Sequence, residues 1–164
     1  MSAAITEQTV NMLEIVKEEE IAAPMDVVFE TILEQMGPLN EREAGEAMPM
    51  KLEAWPGGRW YRDLGNGAGH WWGTVQAIKA PSLIEIHGPL FMSYPAASNV
   101  QYRLKEENGV TKLRFTHRAM AWIAFDPQIK EQLSNVERGW GMLVERIVKG
   151  AVRKQGQGNP GSRA

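Results

Sequence analysis

The sequence predicts an α+β fold: a curved seven-stranded antiparallel sheet wrapped around a long C-terminal helix, with one or two short helices after the first strand. Three observations predict it. From Met50 to Arg118, runs of alternating apolar and polar residues are separated by Gly, Pro and Asn-Gly turn signals. From Pro127 to Lys154, apolar residues recur instead every three or four positions. The stretch Leu52 to Pro81 carries four of the six tryptophans, so aromatic bulk is concentrated in the early strands. One helix cannot cover a twisted sheet of this width evenly. The sheet therefore curves around it, and large side chains or a ligand occupy the space between.

The elements follow in chain order. Met12 to Ala22 reads as the first strand. Ile15 and Ile21 share one parity with Lys17 and Glu19, so the strand either holds a bulge or has a partly polar inner face. Its charges suit a sheet edge. Pro24 suits the first turn of a helix, and Val27, Val28, Thr31 and Ile32 form its apolar stripe, which Gly37-Pro38 ends. Asn40 to Ala47 is a short helix or a loop. Met50–Trp55, Arg59–Leu64, His70–Lys79 and Leu83–His87 are the next four strands, punctuated by Pro56-Gly57-Gly58, Asn66-Gly67 and Ala80-Pro81.

Ser98–Glu106 and Val110–Arg118 form the cleanest hairpin, with Asn108-Gly109 as a type I′ turn. In the last helix Asp126 is the expected N-cap and Pro127 the first helical residue. Its stripe runs through Val136, Trp140, Val144, Ile147 and Ala151. Gly139 and Gly141 interrupt it, each at about 1 kcal/mol against Ala, which predicts a bend or a close approach to the sheet.

The 164 residues fit one domain, expected over 12–153, with a flexible 1–11 and a disordered Gly/Pro-rich tail over 154–164. There is no cysteine, which excludes disulfides, thiolate metal sites and cysteine nucleophiles. A formal charge of -2 gives no basic surplus for phosphates, so no nucleic-acid partner is expected. No apolar run reaches the length of a membrane span. The start MSAAITEQTVNM lacks a signal's basic end and apolar core, which points to a cytoplasmic protein. Gly65-Asn66-Gly67-Ala68-Gly69 has no Lys-Ser/Thr and no helix after it, so it is not a phosphate cradle, and no cofactor is expected.

Several short runs, taken in order, resemble one superfamily. Ile21-Ala22-Ala23-Pro24 with Val27 and Phe29 is similar to the I-x-A-P opening of START-like (SRPBCC) proteins. Trp55-Pro56-Gly57-Gly58-Arg59-Trp60 resembles the Pro-Gly-Gly turn of one branch, the homologues of the activator of the heat-shock-protein-ninety ATPase. Gly73-Thr74-Val75, Pro81-Ser82-Leu83, Thr111-Lys112-Leu113 through Thr116-His117, and Gly139-Trp140 with Leu143 continue the order over roughly residues 12 to 150. The resemblance implies a helix-grip fold with a hydrophobic cavity under the last helix. It implies little about activity, because the superfamily spans lipid carriers, hormone receptors, polyketide cyclases and co-chaperone domains. One departure stands out: the strand after Pro81-Ser82 reads Leu83, Glu85, His87 on one parity and Ile84, Ile86 on the other. Either set can face inward.

The expected ligand-binding residues are Trp60, Trp71, Glu85, His87, Tyr102, Phe115, His117, Trp140 and Val144, receiving a small apolar or amphipathic molecule. No Ser, Cys or metal-ligand motif marks a catalytic or metal residue. His70, His87 and His117 have no ligand spacing with one another. A second reading makes the same cavity a cofactor-free cyclase or dehydratase, with Glu85, His87 or His117 as acid or base and Arg59 or Tyr102 polarising a carbonyl. The simpler role of His117 is a packed, hydrogen-bonded histidine at the strand end, and that of Glu85 and His87 an exposed pair. A third reading is an interaction module, a homodimer or a chaperone's partner, with Trp55 or Trp72 at the centre of an exposed apolar patch. Phe91, Met92, Tyr94, Trp122 and Phe125 are candidates for the cavity mouth.

Overall fold

Residues 10–90, 95–122 and 127–158 are described by the computed structural model. Their elements are β1 (Val10–Ile21), α1 (Met25–Met36), β2 (Lys51–Leu52), β3 (Arg59–Gly65), β4 (Ala68–Lys79), β5 (Leu83–Gly88), β6 (Ala96–Glu107), β7 (Val110–Trp122) and α2 (Pro127–Gln157). The strands form one antiparallel sheet in the order β1-β7-β6-β5-β4-β3-β2. Its concave face holds Trp140, Leu143, Val144, Ile147 and Ala151 of α2, all buried. This is the expected helix-grip arrangement. It is stable because the apolar stripe of α2 and the inner parity of the strands bury each other.

The Asn-Gly turns behave as their residue types require. Asn66, Gly67, Asn108 and Gly109 all have φ between 53° and 75°, the left-handed values of a type I′ turn. The β1–β7 register runs without a break, so the first strand carries no bulge. Its inner parity is partly polar instead: Lys17 is half-buried and reaches Glu137 of α2 at 3.3 Å. Asn40–Ala47 is neither a full helix nor an open loop; it is one 3-10 turn, Glu43–Gly45, closed by a Glu41–Ala47 bridge.

Pro24 is the N-cap of α1, and the carboxylate of Glu106 accepts from the Met25 N–H at 2.7 Å. The Thr111 hydroxyl donates to the Ala23 carbonyl at 2.7 Å, pinning the α1 entrance to β7. α2 starts at Pro127 and runs past Lys154 to Gln157; its expected N-cap Asp126 lies outside the described residues. Gly139 and Gly141 are not points of close approach, since a Cβ at either would meet nothing within 4 Å. The close approach lies further along α2, where a Cβ at Gly150 would stand 3.0 Å from Thr31 Cγ2 of α1. Among the described residues no helix is long and apolar enough to cross a membrane.

Two bulges in β4 bend the sheet and reset its faces. The β3–β4 register passes from Trp60–Gly73 to Tyr61–Trp71, leaving Trp72 as the extra residue. The β4–β5 register passes from Val75–Ile86 to Ala77–Glu85, leaving Gln76 as the extra residue. Each added residue breaks the two-residue period on one strand only. Trp71 therefore points outward and is 51% exposed, whereas Trp72 turns in and packs edge-on against Trp60, with ring centroids 5.0 Å apart.

Candidate functional site

Hairpin β6–β7 forms the centre of the concave floor, and its inward cross-strand pairs shrink along its length. They run Leu104–Leu113, Tyr102–Phe115, Val100–His117, Ser98–Ala119 and Ala96–Ala121. The large pairs lie toward α1 and the small ones toward the first half of α2, where Leu133 packs on Ala121. The Ser98 row continues across the sheet. Ser98 pairs with Gly88 of β5, and a Cβ on Gly88 would run into the backbone of Gly73 on β4. Ala119, Ser98, Gly88 and Gly73 thus make a transverse strip of minimal side chains, bounded by Leu13 at one end and Trp60 at the other.

Aromatic rings close over the neighbouring rows. Trp140 lies 4.8 Å from Phe115, 5.6 Å from His117 and 6.3 Å from Trp60, measured between centroids. The Trp60 indole donates to the Met36 carbonyl at 2.8 Å, which ties β3 to the end of α1. The Trp140 indole donates to His117 Nδ1 at 3.0 Å. His117 is fully buried, and burial lowers its pKa from 6.5 to about 4, so the ring is neutral at neutral pH. An indole N–H can only donate, so Nδ1 must be the acceptor and the imidazole proton sits on Nε2.

Three buried polar atoms on this inner face have no hydrogen-bond partner among the described residues: His117 Nε2, Ser98 Oγ and Tyr102 Oη. Desolvation pushes the Tyr102 phenol upward, so it stays protonated. A buried donor without a partner costs about 1–3 kcal/mol, and most native structures hold few.

The remaining expected site residues divide cleanly. Trp60, Tyr102, Phe115, His117, Trp140 and Val144 meet inside. Trp71, Glu85 and His87 do not join them. Ile84 and Ile86 are the inward residues of β5, paired with Tyr102 and Val100, so Glu85 and His87 take the outer face. There Glu85 accepts from Asn99 Nδ2 at 2.8 Å, and His87 is exposed. No acid–base pair forms in the interior from these two. Arg59 is committed elsewhere: its side-chain bonds to Glu53, 2.5 Å at the shortest, and its own N–H hold the Glu53 carboxyl at about 2. Its guanidinium also lies 4.7 Å above the Tyr61 ring.

Among the described residues no group of three or more His, Asp or Glu could hold a metal ion. Trp72 is not the centre of an exposed patch; among the described residues the exposed indoles are Trp55 and Trp71. The mouth candidates Phe91, Met92, Tyr94 and Phe125 lie outside the described residues. Reading by spacing missed Ser98 and took Trp71, not Trp72, as the inward indole. Ser98 shares the parity of Val100 and Tyr102, a signal already present in the sequence, whereas the placement of Trp72 depends on a bulge.

A family model described as Activator of Hsp90 ATPase homolog 1-like protein matches residues 22–150. The chain belongs to that family. No curated protein matches it. Three solved structures similar to this family member are distant from it in sequence. An uncharacterised protein from Rhizobium leguminosarum is 20% identical over 87% of this chain and 98% of its own, with a TM-score of 0.61. CalU16 from Micromonospora echinospora is 20% identical over 94% of this chain and 93% of its own, with a TM-score of 0.56. A protein of unknown function from Staphylococcus aureus, SA2116, is 12% identical over 90% of this chain and 98% of its own, with a TM-score of 0.63. At these identities the likeness shows the fold alone.

Proposed function

We propose that this chain binds, in the cytoplasm, a small apolar or amphipathic molecule between α2 and the concave face of the sheet. The observation that carries the reading is the set of buried polar atoms, Ser98 Oγ, His117 Nε2 and Tyr102 Oη, on the otherwise apolar inner face of the β6–β7 hairpin. A folded interior that only needs packing gains nothing from such groups. A bound molecule that offers them partners recovers their desolvation energy and adds apolar contact worth about 25 cal/mol per Å². The tapering pairs of β6–β7 support the same reading, because Ser98 lies in a narrow row and His117 in the row next to it. Acid–base catalysis has less support, since Glu85 and His87 lie on the other face.

The test is native mass spectrometry of the purified protein for co-purified apolar mass, with a thermal-shift panel of lipids and aromatic compounds. Bound mass or a rise in melting temperature is the expected result. Finding neither would sink the reading. An interaction module is the second reading, favoured by the exposed indoles Trp55 and Trp71 and by the family's description. Its test is whether Trp71→Ser abolishes a dimer or a chaperone contact seen by sedimentation.

A further inference from the structure

The buried polar atoms also say what kind of polar group they would receive. The Trp140 indole N–H occupies His117 Nδ1, so His117 can offer only a donor, its Nε2–H. That nitrogen lies on the part of the ring turned away from the indole. Ser98, 2% exposed, offers a hydroxyl from the middle of the strip formed by Ala119, Gly88 and Gly73. Ser98 and His117 share the inner face in adjacent rows of the β6–β7 hairpin, diagonal neighbours about 7–8 Å apart across the strands.

The charge on the inner face, two rows from the strip, completes the argument. Lys17, the inner-parity cation of β1, is ion-paired with Glu137, so it brings no uncompensated positive charge. Among the described residues, Ser98 in the strip and His117 in the row beside it are neutral. A carboxylate buried against neutral donors would lose far more hydration than they return. An ammonium would meet a histidine that can only donate.

We propose that the Ala119–Ser98–Gly88–Gly73 strip seats the polar end of the ligand, and that this end is a neutral carbonyl, ketone, aldehyde or ester, accepting from His117 Nε2–H and Ser98 Oγ–H. Ala119 and Gly88, the two neighbours of Ser98 in the strip, put no bulky side chain beside its hydroxyl, and the apolar remainder lies along α2. This inference rests on the binding reading above and narrows its ligand class.

The experiment compares matched ligands on the whole protein by calorimetry. One set is methyl naphthyl ketone, its isopropenyl hydrocarbon isostere, the corresponding amine and naphthoate. The other is methyl nonyl ketone with its hydrocarbon, amine and carboxylate counterparts. The expected result, on at least one scaffold, is a ketone bound roughly ten-fold tighter than its hydrocarbon, and tighter than amine or carboxylate. The bound carbonyl stretch should shift to lower frequency. Ser98→Ala and His117→Leu should erase the preference. His117→Gln should keep it, because its amide can accept from Trp140 and still donate. If His117→Leu does not fold, Ser98→Ala and the parent panel decide. Equal binding of ketone and hydrocarbon, or stronger binding of amine or carboxylate, overturns this inference and leaves the binding reading standing. Binding by none of the eight compounds overturns both.

Discussion

Holding His117 neutral inside the fold makes stability depend on pH in a calculable way. Its pKa falls from 6.5 to about 4 because burial penalises the imidazolium. The unfolded chain takes up this proton as pH drops through about 6.5, while the folded chain refuses it until about 4. The contribution is therefore fully present above pH 6.5, falls between 6.5 and 4, and is gone below. A gap of roughly 2.5 pH units, at about 1.36 kcal/mol per unit, amounts to roughly 3 kcal/mol, of which about 2 kcal/mol is lost by pH 5.

Other groups titrate in acid too, notably Glu53 and Asp63, whose pKa values are lowered by Arg59 and Lys51. The perturbation is accordingly a comparison with His117→Gln, which keeps an acceptor for the Trp140 indole and does not titrate. Urea unfolding of both proteins at pH 7.5 and pH 5 isolates the histidine. The parent should lose about 2 kcal/mol more than the variant between the two conditions, with unchanged m values. Parallel losses in the two proteins, or a His117 resonance titrating near 6.5 in the folded state, would refute the reasoning.

Three further outcomes follow from the packing. Trp72→Ala should destabilise by about 3 kcal/mol or more, as for a core aromatic, whereas Trp71→Ala should cost under about 1 kcal/mol, the value of a cross-strand surface pair; chemical denaturation reads both, and a reversed order would remove the bulge argument. Gly139→Ala and Gly141→Ala should each stabilise by up to about 1 kcal/mol, while Gly150→Ala, facing Thr31 Cγ2 at 3.0 Å, should leave the melting temperature no higher than the parent's. Thr111→Val should lose about 1–2 kcal/mol by leaving the Ala23 carbonyl unpaired, and an unchanged denaturation midpoint would show that the α1 entrance is held by other contacts.

Sequence by itself determined the parts whose energies are local. Asn108-Gly109 and Asn66-Gly67 make their turns because those residues tolerate positive φ. The three- and four-residue spacing of Trp140, Val144, Ile147 and Ala151 gives α2 one apolar face, and alternation puts Tyr102, Phe115 and His117 on one side of a hairpin. Only the tertiary structure decided what depends on pairing between distant strands. The bulge at Trp72 exists because β4 must match β3 and β5 at once, and it exchanges the faces of Trp71 and Trp72 without any sign in the local pattern. The same cross-strand register put Ile84 and Ile86 inside and sent Glu85 and His87 out. The protonation state of His117 was likewise unreadable from its neighbours in sequence, since its partner, Trp140, lies 23 residues away and meets it only when α2 docks.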